Sequence, residues 1–212
     1  MAKIKAGILS KVSGKVAGVV GGTWKGVNYL RELVKPANPN TPLQQAQRGK
    51  MSFVVATARQ LVGDVLNPYL NKFCKTMSGY NWFCKENIGR LAGSPLKFTE
   101  APALSFGTLA SGSLVSSSFA DNGEVEFSSI PSVPAGHTLQ LVTAAIDENG
   151  KVAAVKTQES PEANTGYFAQ ELDEAVTEST KQWAVSFFAD YDANGVLQAI
   201  SASVAQVRTV TP

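Results

Sequence analysis

From Lys3 to Val16, apolar and basic residues take turns. Ile4, Ala6, Ile8, Val12 and Val16 hold even positions and Lys3, Lys5, Lys11 and Lys15 odd ones, with Leu9 the exception. A period of two predicts a strand with one buried face. A helix is the rival, because Ile4, Ile8, Val12 and Val16 also recur every four residues. Six glycines between Gly7 and Gly26 weigh against it, each costing about 1 kcal/mol in a helix interior. Val27 to Val34 continues as a second strand-like stretch. Gly18, Gly21, Gly22 and Gly26 lie between the two and read as a hinge.

The period then changes. After Pro36, Pro39 and Pro42, the sequence Thr41-Pro42-Leu43-Gln44 predicts a helix start, with Thr41 as N-cap and Pro42 at the first helical position. Leu43, Ala46, Phe53, Val54, Ala58, Leu61, Val62 and Val65 follow at helical spacing. Asn67-Pro68 repeats the cap signal and predicts a second helix carrying Leu70, Phe73, Cys74 and Met77. Ser78-Gly79 interrupts, and Tyr80 to Leu91 predicts a third. Cys74 and Cys84 fall at apolar helical positions and read as buried free thiols, with a disulfide between adjacent helices left open.

Beyond residue 98 helical spacing gives way to alternation rich in Ser, Thr and Val. Asp121-Asn122-Gly123, Glu148-Asn149-Gly150 and Ala193-Asn194-Gly195 separate alternating runs, the short-range signature of hairpins whose two central residues take positive φ. Strands are predicted near 103–107, 113–119, 124–129, 138–146, 151–157, 166–172, 181–189 and 196–208. That number of short antiparallel strands suits an immunoglobulin-like sandwich in architecture, without the Cys-Trp-Cys pattern of immunoglobulins. The fold expected is therefore α+β in three parts: an N-terminal extended arm and glycine hinge (1–35), a helical segment (36–97) and an Ig-like β-sandwich (98–212). No apolar run approaches the ~20 residues of a membrane-spanning helix. No signal-peptide core is legible in the first 35 residues, so the sequence does not reveal an export route.

Candidate chemistry is sparse. His137 is the single histidine in 212 residues, it lies in a loop leading into a strand, and no nucleophile motif accompanies it. Cys74, Cys84 and His137 are too few and wrongly spaced for zinc. Gly21-Gly22-Thr23-Trp24-Lys25-Gly26 lacks the spacing of a nucleotide-binding loop. Neither an enzyme nor a cofactor, metal site or small-molecule substrate is expected.

Charge is divided along the chain. Residues 1–97 carry fifteen basic residues against three acidic ones, a balance of +12, and residues 98–212 a balance of −10. Such a split steers head-to-tail association of copies or marks a nucleic-acid surface. The lysines are spread and no nucleic-acid module is recognisable, so self-association is favoured.

Three strings carry a resemblance. They are Gly14-Lys15-Val16-Ala17-Gly18-Val19-Val20-Gly21-Gly22-Thr23-Trp24-Lys25-Gly26, then Asn38-Pro39-Asn40-Thr41 with Gln44 to Arg48, and Met77 to Ile88 with Asn81 and Asn87. Together they resemble a bacterial family of unknown function, closely over the first 95 residues or so and more loosely beyond. The chain also resembles, in architecture, the subunits of tubular extracellular fibrils that polymerise by donor-strand exchange.

That second resemblance implies a structural filament subunit outside the cell, whose partner is itself. Its donor strand, bearing Ile4, Ala6, Ile8, Val12 and Val16, would enter the Ig-like domain of another copy by β-augmentation. The plainer alternative makes residues 4–16 the first strand of the chain's own sandwich. A bacteriophage tail or virion component is the runner-up, and a nucleic-acid-binding module follows it.

Overall fold

The structure, a computed structural model, describes residues 2–4, 13–24, 26–35, 37, 39–114, 124–159, 168–171 and 181–209. The chain divides into two compact units, Met1–Thr41 and Pro42–Pro212.

The first unit is a four-stranded antiparallel sheet of β1 (Ala2–Ile4), β2 (Gly14–Val16), β3 (Val19–Trp24) and β4 (Val27–Glu32), ordered β1-β4-β3-β2. Two-residue turns join its hairpins. Ala17, at φ +50°, turns β2 into β3, and Gly26, at φ +77°, turns β3 into β4. Leu33 N–H donates to Gly18 O at 2.8 Å and extends the ladder past β4.

The second unit opens with α1 (Pro42–Leu61), which starts at the proline the sequence marks. Its expected apolar face is only partly used: Val54, Ala58 and Leu61 are buried, whereas Leu43 is 83% exposed. No fresh helix starts at Asn67-Pro68. The chain continues from α1 as a π-helical stretch, Val62–Leu70, with Pro68 inside it. Proline lacks the N–H for the ordinary bond and its ring crowds the carbonyl four residues back; a wider turn moves that carbonyl's neighbourhood and accommodates the ring. The next helix, α2 (Gly79–Asn87), is capped by Ser78, whose Oγ accepts from Asn81 N–H at 3.2 Å. It ends in a 3-10 turn, Ile88–Arg90, instead of continuing to Leu91.

Among the described residues ten strands follow. A small hairpin pairs β5 (Leu91–Ala92) with β6 (Lys97–Phe98). A three-stranded sheet is formed by β7 (Ser113–Leu114), β8 (Glu124–Ser129) and β11 (Phe168–Glu171), in the order β11-β8-β7. The largest sheet contains β9 (Thr138–Asp147), β10 (Val152–Glu159), β12 (Lys181–Tyr191), β13 (Leu197–Ile200) and β14 (Val204–Thr209). Its order is β10-β9-β12, with β13 and β14 both pairing the far side of β12. The architecture is thus mixed, with more strand than helix, in several antiparallel sheets.

Two strands explain how the layers stack. β9 and β12 are buried on both faces over nearly their whole length. On one face Val142, Ala144, Ile146, Trp183, Val185, Phe187 and Ala189 share a core with Val54, Ala58, Leu61, Leu66, Leu70 and Phe83 of the helices. Edge-on aromatic pairs knit this core, Tyr69 with Phe187 at 5.4 Å and Phe53 with Phe98 at 5.3 Å. On the other face Leu141, Ala145, Ala184 and Phe188 meet Val125 and Phe127 of β8. One core therefore crosses the boundary expected at residue 97, because an amphipathic helix needs a second layer to cover its apolar side.

Two of the predicted strands differ from the observed ones. Residues 103–107 belong to no strand. The run 196–208 is two strands broken at Ser201, whose Oγ accepts from Phe188 N–H at 2.9 Å. Residues 115–119 of the predicted second strand, and the Asp121-Asn122-Gly123 turn, lie outside the described residues.

The other two Asn-Gly turns exist but are of a different kind. Positive φ is confined to Gly150 (+76°) and Gly195 (+73°), and the asparagines before them are not left-handed. Gly150 N–H donates to Asp147 O and Gly195 N–H to Asp192 O, so each is a type I turn closed by a left-handed glycine. The aspartate starting each turn selects it. Asp147 Oδ1 accepts from Lys151 N–H at 2.7 Å, and Asp192 Oδ1 accepts from Asn194 and Val196 N–H at 2.9 Å each.

Candidate functional site

The residues read as an assembly strand are placed as follows. Ile4 lies in β1 with its Cα opposite Asn28, and Val16 ends β2 opposite Val19. Ala6, Ile8 and Val12 lie outside the described residues. β1 and β2 are the two opposite edges of the sheet, separated by β4 and β3. The two ends of the run therefore belong to different strands. The glycines read as a hinge sit inside this sheet: Gly21 and Gly22 within β3, Gly18 in the turn before it and Gly26 in the turn after it.

Register assigns the faces. Directly paired residues share a face, and successive residues alternate. One face takes positions Lys3, Lys15, Val20, Gly22, Trp24, Val27, Tyr29 and Arg31. Gly22 is needed there, since a Cβ at that position would stand 2.9 Å from the Tyr29 hydroxyl; the Tyr29 ring covers the glycine. The other face takes Ala2, Ile4, Val16, Val19, Gly21 and Leu30, with Glu32 at a corner and the Thr23–Asn28 pair at one end. Thr23 Oγ1 donates to Asn28 Oδ1 at 2.6 Å. Lys15, Tyr29 and Arg31 thus share one side with Val20 and Val27, and Val19 and Leu30 share the other with Thr23, Asn28 and Glu32.

The two units differ in charge. Met1–Thr41 has six lysines and Arg31 against Glu32, a balance of +6, and the remainder of the chain carries −4.

Groups that might have carried chemistry are engaged in structure. His137 Nδ1 lies 2.9 and 3.1 Å from the two carboxylate oxygens of the buried Asp190, tying the loop before β9 to β12. Cys74 and Cys84 are free thiols. Burial pushes both upward in pKa, which keeps them protonated and poorly nucleophilic. Among the described residues no cluster of three or more metal-ligating side chains occurs, and no helix is long and apolar enough to cross a membrane. Among the described residues of the second unit, one shallow groove runs along Phe73, Phe106 and Ile200 and another along Arg90, Pro102 and Ser203.

Reading the N-terminal run alone missed Leu30, Val19 and Tyr29. Their signal was present in the turn-sized gaps Ala17-Gly18 and Lys25-Gly26, which divide the glycine-rich stretch into hairpins.

No curated protein and no solved structure matches the chain. A sequence model of a family of unknown function, DUF6266, matches residues 11–196. That span takes in the Gly14–Gly26 string, most of both units and the strands β9, β10 and β12 of the largest sheet. The chain therefore belongs to the DUF6266 family.

Proposed function

We propose that the chain is a structural subunit of a helical, pilus-like extracellular filament, polymerising through its N-terminal segment. The observation that carries the reading is the N-terminal sheet itself. It places Val19 and Leu30 on one face and bears a charge opposite to the rest of the chain. A four-stranded sheet within about forty residues is too small to bury a core alone. A second copy supplies what it lacks.

The receiving body is the C-terminal region, read as an incomplete Ig-like sandwich. Its support is the cluster in which Val125 and Phe127 of β8 face Leu141, Ala145 and Phe188 across two sheets. A contact between unlike surfaces of two copies does not close on itself, so it propagates into a filament. Ile4, Ala6, Ile8, Val12 and Val16 belong to the donated segment, which is residues 1–16.

One observation favours a second reading. Lys15 and Arg31 share a face with Tyr29, a combination that suits a nucleic-acid backbone and its bases.

Electron microscopy of the purified protein tests the proposal. Filaments are expected from the full chain and none from a chain lacking residues 1–16. Filaments of normal appearance from the truncated chain would remove the N-terminus from the mechanism. Particles of a tail or capsid, or nucleic acid retained at ~150 mM salt, would transfer the function to the virion or nucleic-acid reading.

A further inference from the structure

We infer that Asn194-Gly195, in the turn between β12 and β13, is a site of spontaneous chemical modification, where the asparagine closes on the next backbone nitrogen and becomes aspartate or isoaspartate. Asn149-Gly150, in the matching turn between β9 and β10, is shielded from the same reaction by α1. The modification needs no partner and proceeds whether or not copies assemble.

The backbone nitrogen of the residue after an asparagine can attack the side-chain carbonyl carbon and close a five-membered ring. A Cβ on that following residue hinders closure, and glycine has none. At Asn194 the Gly195 nitrogen gives its proton to solvent base and bonds to Cγ, and the side-chain nitrogen leaves as ammonia. Water then opens the ring. Cleavage of the new N–Cγ bond yields aspartate on an ordinary backbone. Cleavage at the Asn194 main-chain carbonyl instead sends the backbone through Cγ, as isoaspartate. Nothing is oxidised or reduced; one water enters and one ammonia departs.

The two turns share one backbone form. Gly195 N–H donates to Asp192 O at 2.9 Å and Gly150 N–H to Asp147 O at 3.0 Å, and both glycines are left-handed. An N–H held by a carbonyl keeps its proton, so attack waits until the turn opens. The rate at each site therefore follows the cost of local opening.

That cost is set by what holds each turn. Asn194 and Gly195 are exposed, Val196 beside them is 47% exposed, and nothing lies within 4 Å of where a Gly195 Cβ would stand. Its remaining ties are local, with Asp192 Oδ1 accepting from Asn194 and Val196 N–H. Asn149 is exposed as well, but Glu148 and Gly150 on either side of it are buried. Gly150 lies against Thr57 and Phe53 of α1, and Gln60 bonds both Gly150 O and Val152 N–H. Glu148 O accepts from Phe98 N–H, Glu148 N–H donates to Lys181 O, and its carboxylate takes Lys97 Nζ at 2.6 Å. Opening the first turn moves solvent-facing backbone alone. Opening the second disturbs α1, β6 and β12 together.

The products differ from the parent where it matters for β13. Either one adds a carboxylate close to Asp192, whose own carboxyl is held below the usual range chiefly by Val196 N–H. Isoaspartate also lengthens the main chain by one carbon between Asp192 O and Gly195 N–H, the bond that closes the hairpin.

Full-length chain kept in mildly alkaline buffer, folded and in parallel unfolded in guanidinium, tests this. Digestion at glutamate places Asn149 and Asn194 in separate peptides, both free of Asn122, which lies outside the described residues. Mass spectrometry follows the gain of about one dalton at each site, and methylation by an isoaspartyl methyltransferase with S-adenosylmethionine counts isoaspartate. In the folded chain Asn194 is expected to convert at least about tenfold faster than Asn149, and in guanidinium the two should agree within about threefold. Equal rates in the folded chain would overturn the inference, as would an Asn194 that stays intact while the unfolded chain converts. An Asn149 that remains slow in guanidinium would overturn it too, since flanking sequence and not α1 would then be the protection.

Discussion

Asn87 and Ala103 are joined by two hydrogen bonds that copy a strand pairing with a side chain. Asn87 Nδ2 donates to Ala103 O at 2.9 Å, and Ala103 N–H donates to Asn87 Oδ1 at 2.7 Å. The same Nδ2 also donates to Phe83 O, within α2. Asn87 is fully buried, so one amide both ends the helix and holds the segment that crosses below it. Further along, Leu104 N–H donates to Ser203 Oγ and Ser105 Oγ to Ser201 O, fastening this strap over the bend between β13 and β14.

Asn87→Ala should therefore be among the more damaging single substitutions in the chain. It leaves a backbone N–H and a carbonyl of Ala103 buried without partners, at roughly 1–3 kcal/mol for each unsatisfied group. Urea unfolding followed by tryptophan fluorescence measures it, with a lower midpoint expected at unchanged slope. An unaltered midpoint would mean that the strap is held by its serines alone.

Gly150 and Gly195 form a natural pair for separating backbone from packing effects. Both have φ near +75° in type I turns. A Cβ on Gly150 would stand 2.3 Å from Thr57 Oγ1 and 2.9 Å from the Phe53 ring, whereas nothing lies within 4 Å of one on Gly195. Gly195→Ala should lose about 1 kcal/mol for the left-handed backbone alone. Gly150→Ala should lose clearly more, by displacing α1 from the β9–β10 turn, which Gln60 also grips through Gly150 O and Val152 N–H. Equal losses in thermal unfolding would show that the helix yields freely there.

Alkaline stability should have a component from Tyr191. Burial, the neighbouring Tyr69 charge and a hydrogen bond with Tyr69 push its phenol up to about 12. The neutral form is favoured by the fold, so its contribution is complete below the ordinary tyrosine value of about 10. It is lost as pH rises from there through the folded value. Tyr191→Phe should flatten the decline in melting temperature between about pH 10 and pH 12. A decline identical to wild type would assign the alkaline loss to other groups.

Assembly rate should fall as salt rises from ~10 mM to ~1 M, where the screening length shrinks from about 30 to 3 Å. Filaments once formed should persist, because apolar burial is not weakened by screening. Light scattering after dilution from low salt follows both. Nucleation indifferent to salt would leave the +6/−4 division of the units without a kinetic role.

Local signals were legible where local chemistry decides the outcome. Pro42 opens α1 as its position demands, and alternation locates β8, β9, β10 and β12 to within a few residues. The Asn-Gly turns were visible, but their type was not, because Asp147 and Asp192 impose it through side-chain bonds that propensity does not weigh. Features fixed by distant partners escaped. Residues 103–107 look like a strand, yet their partners are Asn87 and Ser203, which no local pattern connects. Asn67-Pro68 looks like a new beginning because the π-helical turn that tolerates Pro68 has no signature of its own. In the N-terminal unit, the alternation of Ile4 to Val16 was visible, but the division of that run between two edges depends on β3 and β4.

The shared core of helices and sheet also sets an order of events during synthesis. Val54, Leu61 and Leu66 pack against Val142 and Val185, so the first residues of that core wait for about 130 more to be made before it can close. At the usual 5–20 residues per second, the helices spend roughly 7–26 s on the ribosome with their apolar sides uncovered. β12 is the last central piece to arrive, and both β9 and β14 pair with it. Until it emerges the apolar sides of the helices stay uncovered, although twelve of the fourteen acidic residues after residue 97 have already been made, and the N-terminal sheet has been available to neighbouring nascent chains for longest. On one messenger, the first unit of a chain still being made can therefore meet the acidic region of a finished neighbour before its own second unit has folded.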